Sequence, residues 1–93
     1  MTKAELINEI AVSTGFDKKS ITLIVDGFTE GVKRNLVNGE NVYIRGFGSF
    51  VTKTRAAKIA RNILQETSIA VPAHKIPAFR PAAEFKEAVR NQK

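Results

Sequence analysis

"TRAAKIARNILQET", residues 54 to 67, decides how this chain folds, and read alone it points more than one way. Ala56, Ala57 and Ala60 favour a helix, and Ala56, Ile59, Ile63 and Thr67 fall on one helical face. The same stretch is basic and holds the apolar pair Ile63-Leu64 at its centre. An amphipathic helix, a basic loop and an extended arm with an apolar tip all satisfy it. Local propensity does not separate a helix over 55–65 from an arm.

The flanks are clearer. On the C-terminal side, Ile69 and Val71 alternate with Ser68 and Ala70, while Pro72 and Pro77 forbid a helix interior and place the strand at a sheet edge. The tail "PAAEFKEAVRNQK" predicts a short helix, with Pro81 near its start, Glu84 in its first turn, and Arg90 and Lys93 at its end. On the N-terminal side, "NVYIRGFGSFV" predicts a β-hairpin: Val42 and Ile44 alternate with Tyr43 and Arg45, Gly46 and Gly48 bracket Phe47, and Phe50 resumes the extended run.

Two helices precede the hairpin. Thr2 and Glu5 have the spacing of a capping box, Leu6 and Ile10 with Ile7 at their edge form an apolar stripe, and Thr14-Gly15 ends the helix. Asp17 is placed to cap the second helix. Ile21, Ile24, Val25, Phe28, Val32 and Leu36 follow at helical spacing, and Asn38-Gly39 closes it.

Ninety-three residues make one domain with a small core. The chain has no cysteine, so disulfides and zinc-thiolate sites are excluded, and oligomerisation is the expected means of completing the core. Fifteen basic residues stand against nine acids. From Asn41 to Arg80 the cations are Arg45, Lys53, Arg55, Lys58, Arg61, Lys75 and Arg80, and the only acid is Glu66. The first forty residues are balanced, with Lys3, Lys18, Lys19, Lys33 and Arg34 against Glu5, Glu9, Asp17, Asp26, Glu30 and Glu40. One region is thus polarised toward an anionic partner, and nucleic acid is the expected one. There is no long apolar run to cross a membrane and no secretory layout at the N-terminus, so a cytoplasmic location is expected. His74 is the only histidine and has no cysteine beside it, so no metal site is expected; it reads as decoration of the returning strand. Phe28, Phe47, Phe50, Phe79 and Phe85 read as core. Gly46 and Gly48 precede no helix, which argues against a phosphate loop. Nothing pairs a nucleophile with a base, so no enzyme, cofactor or small-molecule substrate is expected.

Four motifs, "TKAELI" (2–7), "IRGFGSF" (44–50), "RAAKIARN" (55–62) and "IPAFRP" (76–81), resemble the HU/IHF family of bacterial histone-like DNA-bending proteins, without gaps from the first residue to about Arg90. The resemblance implies an α+β fold: an N-terminal helical hairpin, a three-stranded antiparallel sheet with a long protruding β-ribbon arm over roughly 53–75, and a short C-terminal helix, in an intertwined dimer. It overrules the helical reading of 55–65. About 11 residues from Thr52 to Ile63 at ~3.3 Å each would reach roughly 36 Å.

In the family the arm tip reads Gly-Arg-Asn-Pro-x-Thr-Gly and its proline wedges between base pairs. Here Ala60 to Glu66 keeps Arg61 and Asn62 but puts Ile63 in place of the proline and Glu66 in place of the last glycine. Minor-groove proteins also insert isoleucine or leucine, so Ile63, or Leu64 beside it, is the expected wedge. The resemblance further implies DNA contacts from Lys53, Arg55, Lys58, Arg61 and Asn62 along the arm, from Arg45, Lys75 and Arg80 at its base, and from Lys3 and Lys86 on the flanks. The expected function is an architectural protein of the nucleoid. It would grip the minor groove of double-stranded DNA, bending or condensing it mostly without base readout, as a homodimer or with a paralogue. The alternatives are an IHF-like subunit with site preference, an RNA- or single-strand-binding module, and a protein-assembly module joined through Ile63-Leu64.

Overall fold

The computed structural model describes residues 1–62 and 67–92. They divide into two compact units, one spanning Met1–Asn35 and the other running from Leu36 on.

The first unit is helical. α1 (Lys3–Thr14) starts where predicted: the Glu5 amide donates to Thr2 Oγ1 at 3.2 Å, and the Thr2 hydroxyl donates to Glu5 Oε1 at 3.3 Å. It ends at Gly15, whose φ of 80° is the left-handed conformation that glycine adopts without strain, and whose N–H donates to the Ala11 carbonyl. α2 (Lys18–Val37) is capped by Asp17, which accepts from the Ser20 amide at 3.0 Å and the Ser20 hydroxyl at 2.8 Å. Twenty residues make it about 30 Å long. The residue that buries deepest in α1 is Ile7, with Leu6 45% exposed, so the apolar stripe is centred one position later than its spacing suggested. Ile21 is its buried counterpart in α2.

The second unit is built on strands. β1 (Val42–Ile44), β2 (Gly48–Arg55) and β5 (His74–Pro81) form an antiparallel sheet in the order β1-β2-β5. β3 (Lys58–Asn62) and β4 (Thr67–Val71) pair as a two-stranded ribbon beyond it. The described part of the stretch that alanine propensity favoured as a helix is therefore extended: Lys58–Asn62 is a strand because its backbone groups are paired with Thr67–Val71, a tertiary term that outweighs propensity differences of a few tenths of a kcal/mol per residue. β5 is an edge strand, which accommodates Pro77.

Cross-strand partners project from the same face of a sheet. Val42 lies opposite Phe50, and Phe50 opposite Phe79, so one face of the sheet is aromatic and aliphatic. Phe47 from the β1–β2 turn and Phe85 from α3 (Ala83–Arg90) complete a ring cluster: Phe47–Phe79 and Phe50–Phe79 centroids are 5.0 Å apart, and Phe47 stacks on Phe85 at 5.5 Å. The Ala82 amide donates to the Phe47 carbonyl at 2.9 Å, tying the turn to the start of α3. Gly48 is required where it stands. A Cβ there would lie 2.5 Å from the Arg80 carbonyl oxygen and 2.7 Å from the Phe79 ring.

Candidate nucleic-acid interface

Strand register sorts the cations. Ser49 pairs with Arg80, Lys53 with Ile76 and Arg55 with His74, so Arg80, Lys53, Arg55 and His74 share one face of the β2–β5 pair. Lys75, opposite Thr54, is on the other face. Beyond Arg55 the pairing lapses for two residues on each strand, Ala56-Ala57 and Pro72-Ala73, and resumes at Lys58 opposite Val71. Pro72 has no N–H to donate, which accounts for part of the lapse. The register itself is unbroken, since the first pair beyond the gap is three residues on along both strands. Lys58 therefore falls on the parity of Lys75.

No strand residue among those described is acidic. The ion pairs among the described residues join Lys3 to Asp26, Lys33 to Glu30 and Arg90 to Glu87, and none involves a ribbon cation. Lys53, Arg55, Lys58, Lys75 and Arg80 are all exposed. Such an array keeps its positive potential for an external anion. Arg45 lies in the β1–β2 turn, beside a groove of about 420 Å³ that Tyr43, Ser49 and Arg80 also line.

Two expected contacts stand elsewhere. Lys3 belongs to the helical unit, where its ammonium pairs with Asp26 of α2. Lys86 is in the middle of α3, beside an apolar concavity of about 630 Å³ lined by Phe79, Phe85 and Val89, and so is not on the ribbon face. The backbones of Arg61 and Asn62 belong to β3. Ile63 and Leu64, the expected wedge, lie outside the described residues.

Register also assembles what linear reading missed. Tyr43, Ser49 and Arg80 form a row across three strands, with Tyr43 72% exposed. His74 stands directly across from Arg55, and its Nδ1 lies 2.9 Å from the Pro72 carbonyl oxygen. Alternation within one strand gives parity, but it does not say which residue of another strand shares the face. The register that says so is non-local.

The chain matches the family model described as bacterial DNA-binding protein over residues 1–90. It is 39% identical over 90 residues to the DNA-binding protein HU of Geobacillus stearothermophilus, covering 97% of this chain and 100% of the relative. It is 40% identical over 90 residues to DNA-binding protein HU of Thermotoga maritima, with the same coverage. Among solved structures, the Anabaena HU–DNA cocrystal structure superposes with a TM-score of 0.92 at 29% identity, covering 99% of this chain and 100% of that one. HU from Thermotoga maritima superposes with a TM-score of 0.68 at 32% identity, covering 96% and 98%.

Proposed function

The chain belongs to the bacterial DNA-binding protein family, that of HU and IHF, and on that premise we propose that it is an architectural protein gripping the minor groove of double-stranded DNA with a basic ribbon. The observation that carries this reading is the register that gathers Lys53, Arg55 and Arg80 on one face of strands with no acid among the described residues. Cations so placed displace condensed counterions from phosphates, so binding falls steeply with salt. Lys58 and Lys75 serve the opposite face, and Arg45, Lys3 and Lys86 act as outlying contacts. Without base readout, preference goes to flexible, kinked or nicked sites, whose deformation costs least. The protein acts by binding and bending, not by catalysis, and compacts the nucleoid. The RNA, single-strand and assembly readings draw no support from the HU relatives.

The working unit is a dimer, of identical chains or with a paralogue. Support comes from apolar side chains left open in the single chain: Ile24 is 70% and Val89 54% exposed, and Phe79 borders the concavity beside α3. A second chain would cover such surface and add to the small cores of the two units, where Ile7 and Ile21 in the first and Val51 in the second are the buried apolar residues among those described. Ile63, or Leu64, is the residue that enters a base step at the arm tip.

End-to-end FRET on a short nicked duplex tests the reading. Transfer should rise on titration and fall back as salt is raised. Binding without a change in transfer would remove bending from the proposal, and equal affinity for single strands would remove the duplex. Ile63→Ala, with Leu64→Ala beside it, should lower the transfer at saturation while leaving the salt dependence in place.

A further inference from the structure

His74 offers one nitrogen to the protein and leaves the other outward. Its Nδ1 sits 2.9 Å from the Pro72 carbonyl oxygen. A carbonyl oxygen only accepts, so the proton of that hydrogen bond is on Nδ1. The neutral ring therefore carries a bare lone pair on Nε2, which cannot donate to an anion. Protonation adds N–H and a positive charge at Nε2 while Nδ1–H stays on the carbonyl. The ring thus changes chemistry without having to turn.

Its surroundings are cationic. Arg55 stands directly opposite on β2, Lys53 lies on the same face two pairs along, Lys75 is the next residue on β5, and Lys58 opens β3 across the gap. No acid on any of these strands, among the described residues, offers the imidazolium a counterion. An external phosphate would do so, and both groups of the Arg55–His74 pair could then donate to it.

We propose that His74 is a phosphate contact of the ribbon, acting with Arg55 and gripping the DNA backbone only in its protonated form. The inference rests on the duplex-binding reading above and adds its proton linkage. A phosphate favours the charged ring, and by reciprocity the charged ring favours the phosphate, so DNA binding takes up a proton. The grip therefore tightens as pH falls and the ring takes up its proton.

The test compares the full-length wild type with His74→Asn and His74→Lys on one nicked duplex. Affinity is followed by fluorescence anisotropy at pH 5.5 and 8.0 at fixed ionic strength, in buffers free of phosphate. Calorimetry near neutral pH, in two buffers of different ionisation heat, reports proton uptake. Wild type should gain about three- to tenfold more affinity on acidification than His74→Asn, the increment of a charge-assisted hydrogen bond at an exposed site. It should also take up protons that His74→Asn does not. His74→Lys should bind like acidified wild type at both pH values, with no uptake linked to residue 74. Equal pH dependence and uptake in wild type and His74→Asn would overturn the role of His74 while leaving duplex binding intact. Failure of all three proteins to bind duplex at either pH, with circular dichroism showing them folded, would overturn both readings.

Discussion

In the helical unit, charges of opposite sign meet: Lys3 pairs with Asp26 and Lys33 with Glu30. Along β2 to β5 they do not. Lys53, Arg55, Lys58, Lys75 and Arg80 meet no acid on any strand among the described residues. The first region spends its electrostatics internally, in short exposed pairs that contribute little to stability. The second holds its charge unneutralised, at some cost in self-repulsion, and so keeps it available to a polyanion. The difference shows why one sequence carries a balanced half and a polarised half: one is fastened to itself and the other is built to be fastened to something else.

The comparison can be broken most forcefully by reversing charge on the ribbon. Lys53→Glu with Arg55→Glu should weaken duplex binding by about a thousandfold at low salt and flatten its salt dependence, read by anisotropy across a salt series. The melting temperature should stay near that of wild type, because neither side chain takes part in an ion pair among the described residues. A large loss of stability would mean that the ribbon's charges are structural after all.

Next in size is a change that touches the sheet without touching charge. Gly48→Val should destabilise the fold by about 3 kcal/mol, since the new side chain starts where the Arg80 carbonyl and the Phe79 ring already stand, 2.5 and 2.7 Å from its Cβ. Thermal unfolding measures it, and a shift within error would refute the close approach.

On the helical side the effects are smaller. Thr2→Ala should cost about 1 kcal/mol through loss of the α1 cap, with DNA affinity per folded molecule unchanged. Asp17 sharpens the contrast through pH. The Ser20 hydroxyl, and then the Ser20 amide, hold its carboxyl below the usual range. A group whose folded pKa is depressed stabilises the fold above its unfolded pKa, and that contribution is lost as pH falls through the folded value. The melting-temperature gap between wild type and Asp17→Ala should therefore be open at pH 6 and narrow in acid. A gap that holds constant to pH 2 would mean that the carboxylate charge plays no part in the cap.

These two regions were not equally legible. Thr2, Glu5, Gly15 and Asp17 act within three or four residues of themselves, so spacing alone located both helix starts and the end of α1. Lys58–Asn62 takes its conformation from Thr67–Val71, and within its own residues alanine argues for a helix; only the resemblance carried by "IRGFGSF" and "IPAFRP" pointed to an arm. The face shared by Arg55 and His74 could not be read at all without the register, and a lone histidine on a returning strand looked like decoration. The pairing of Lys3 with Asp26 was equally hidden, because it spans two helices. Ile63, where the sequence departs from its family, and Leu64 beside it lie outside the described residues, and their role rests on chemistry alone.

The unbroken register across the gap at Ala56-Ala57 and Pro72-Ala73 also constrains how this chain can change its length. Adding one residue to either strand alone would break the pairing beyond it. Adding one to each would keep the pairs but turn Lys58 and everything after it to the opposite side. Two residues in each strand is the smallest change that restores both, so the arm can lengthen or shorten only in steps of ~6.6 Å. Homologues that differ in reach should therefore differ by even numbers of residues per strand, and an engineered arm should work at those lengths and fail between them.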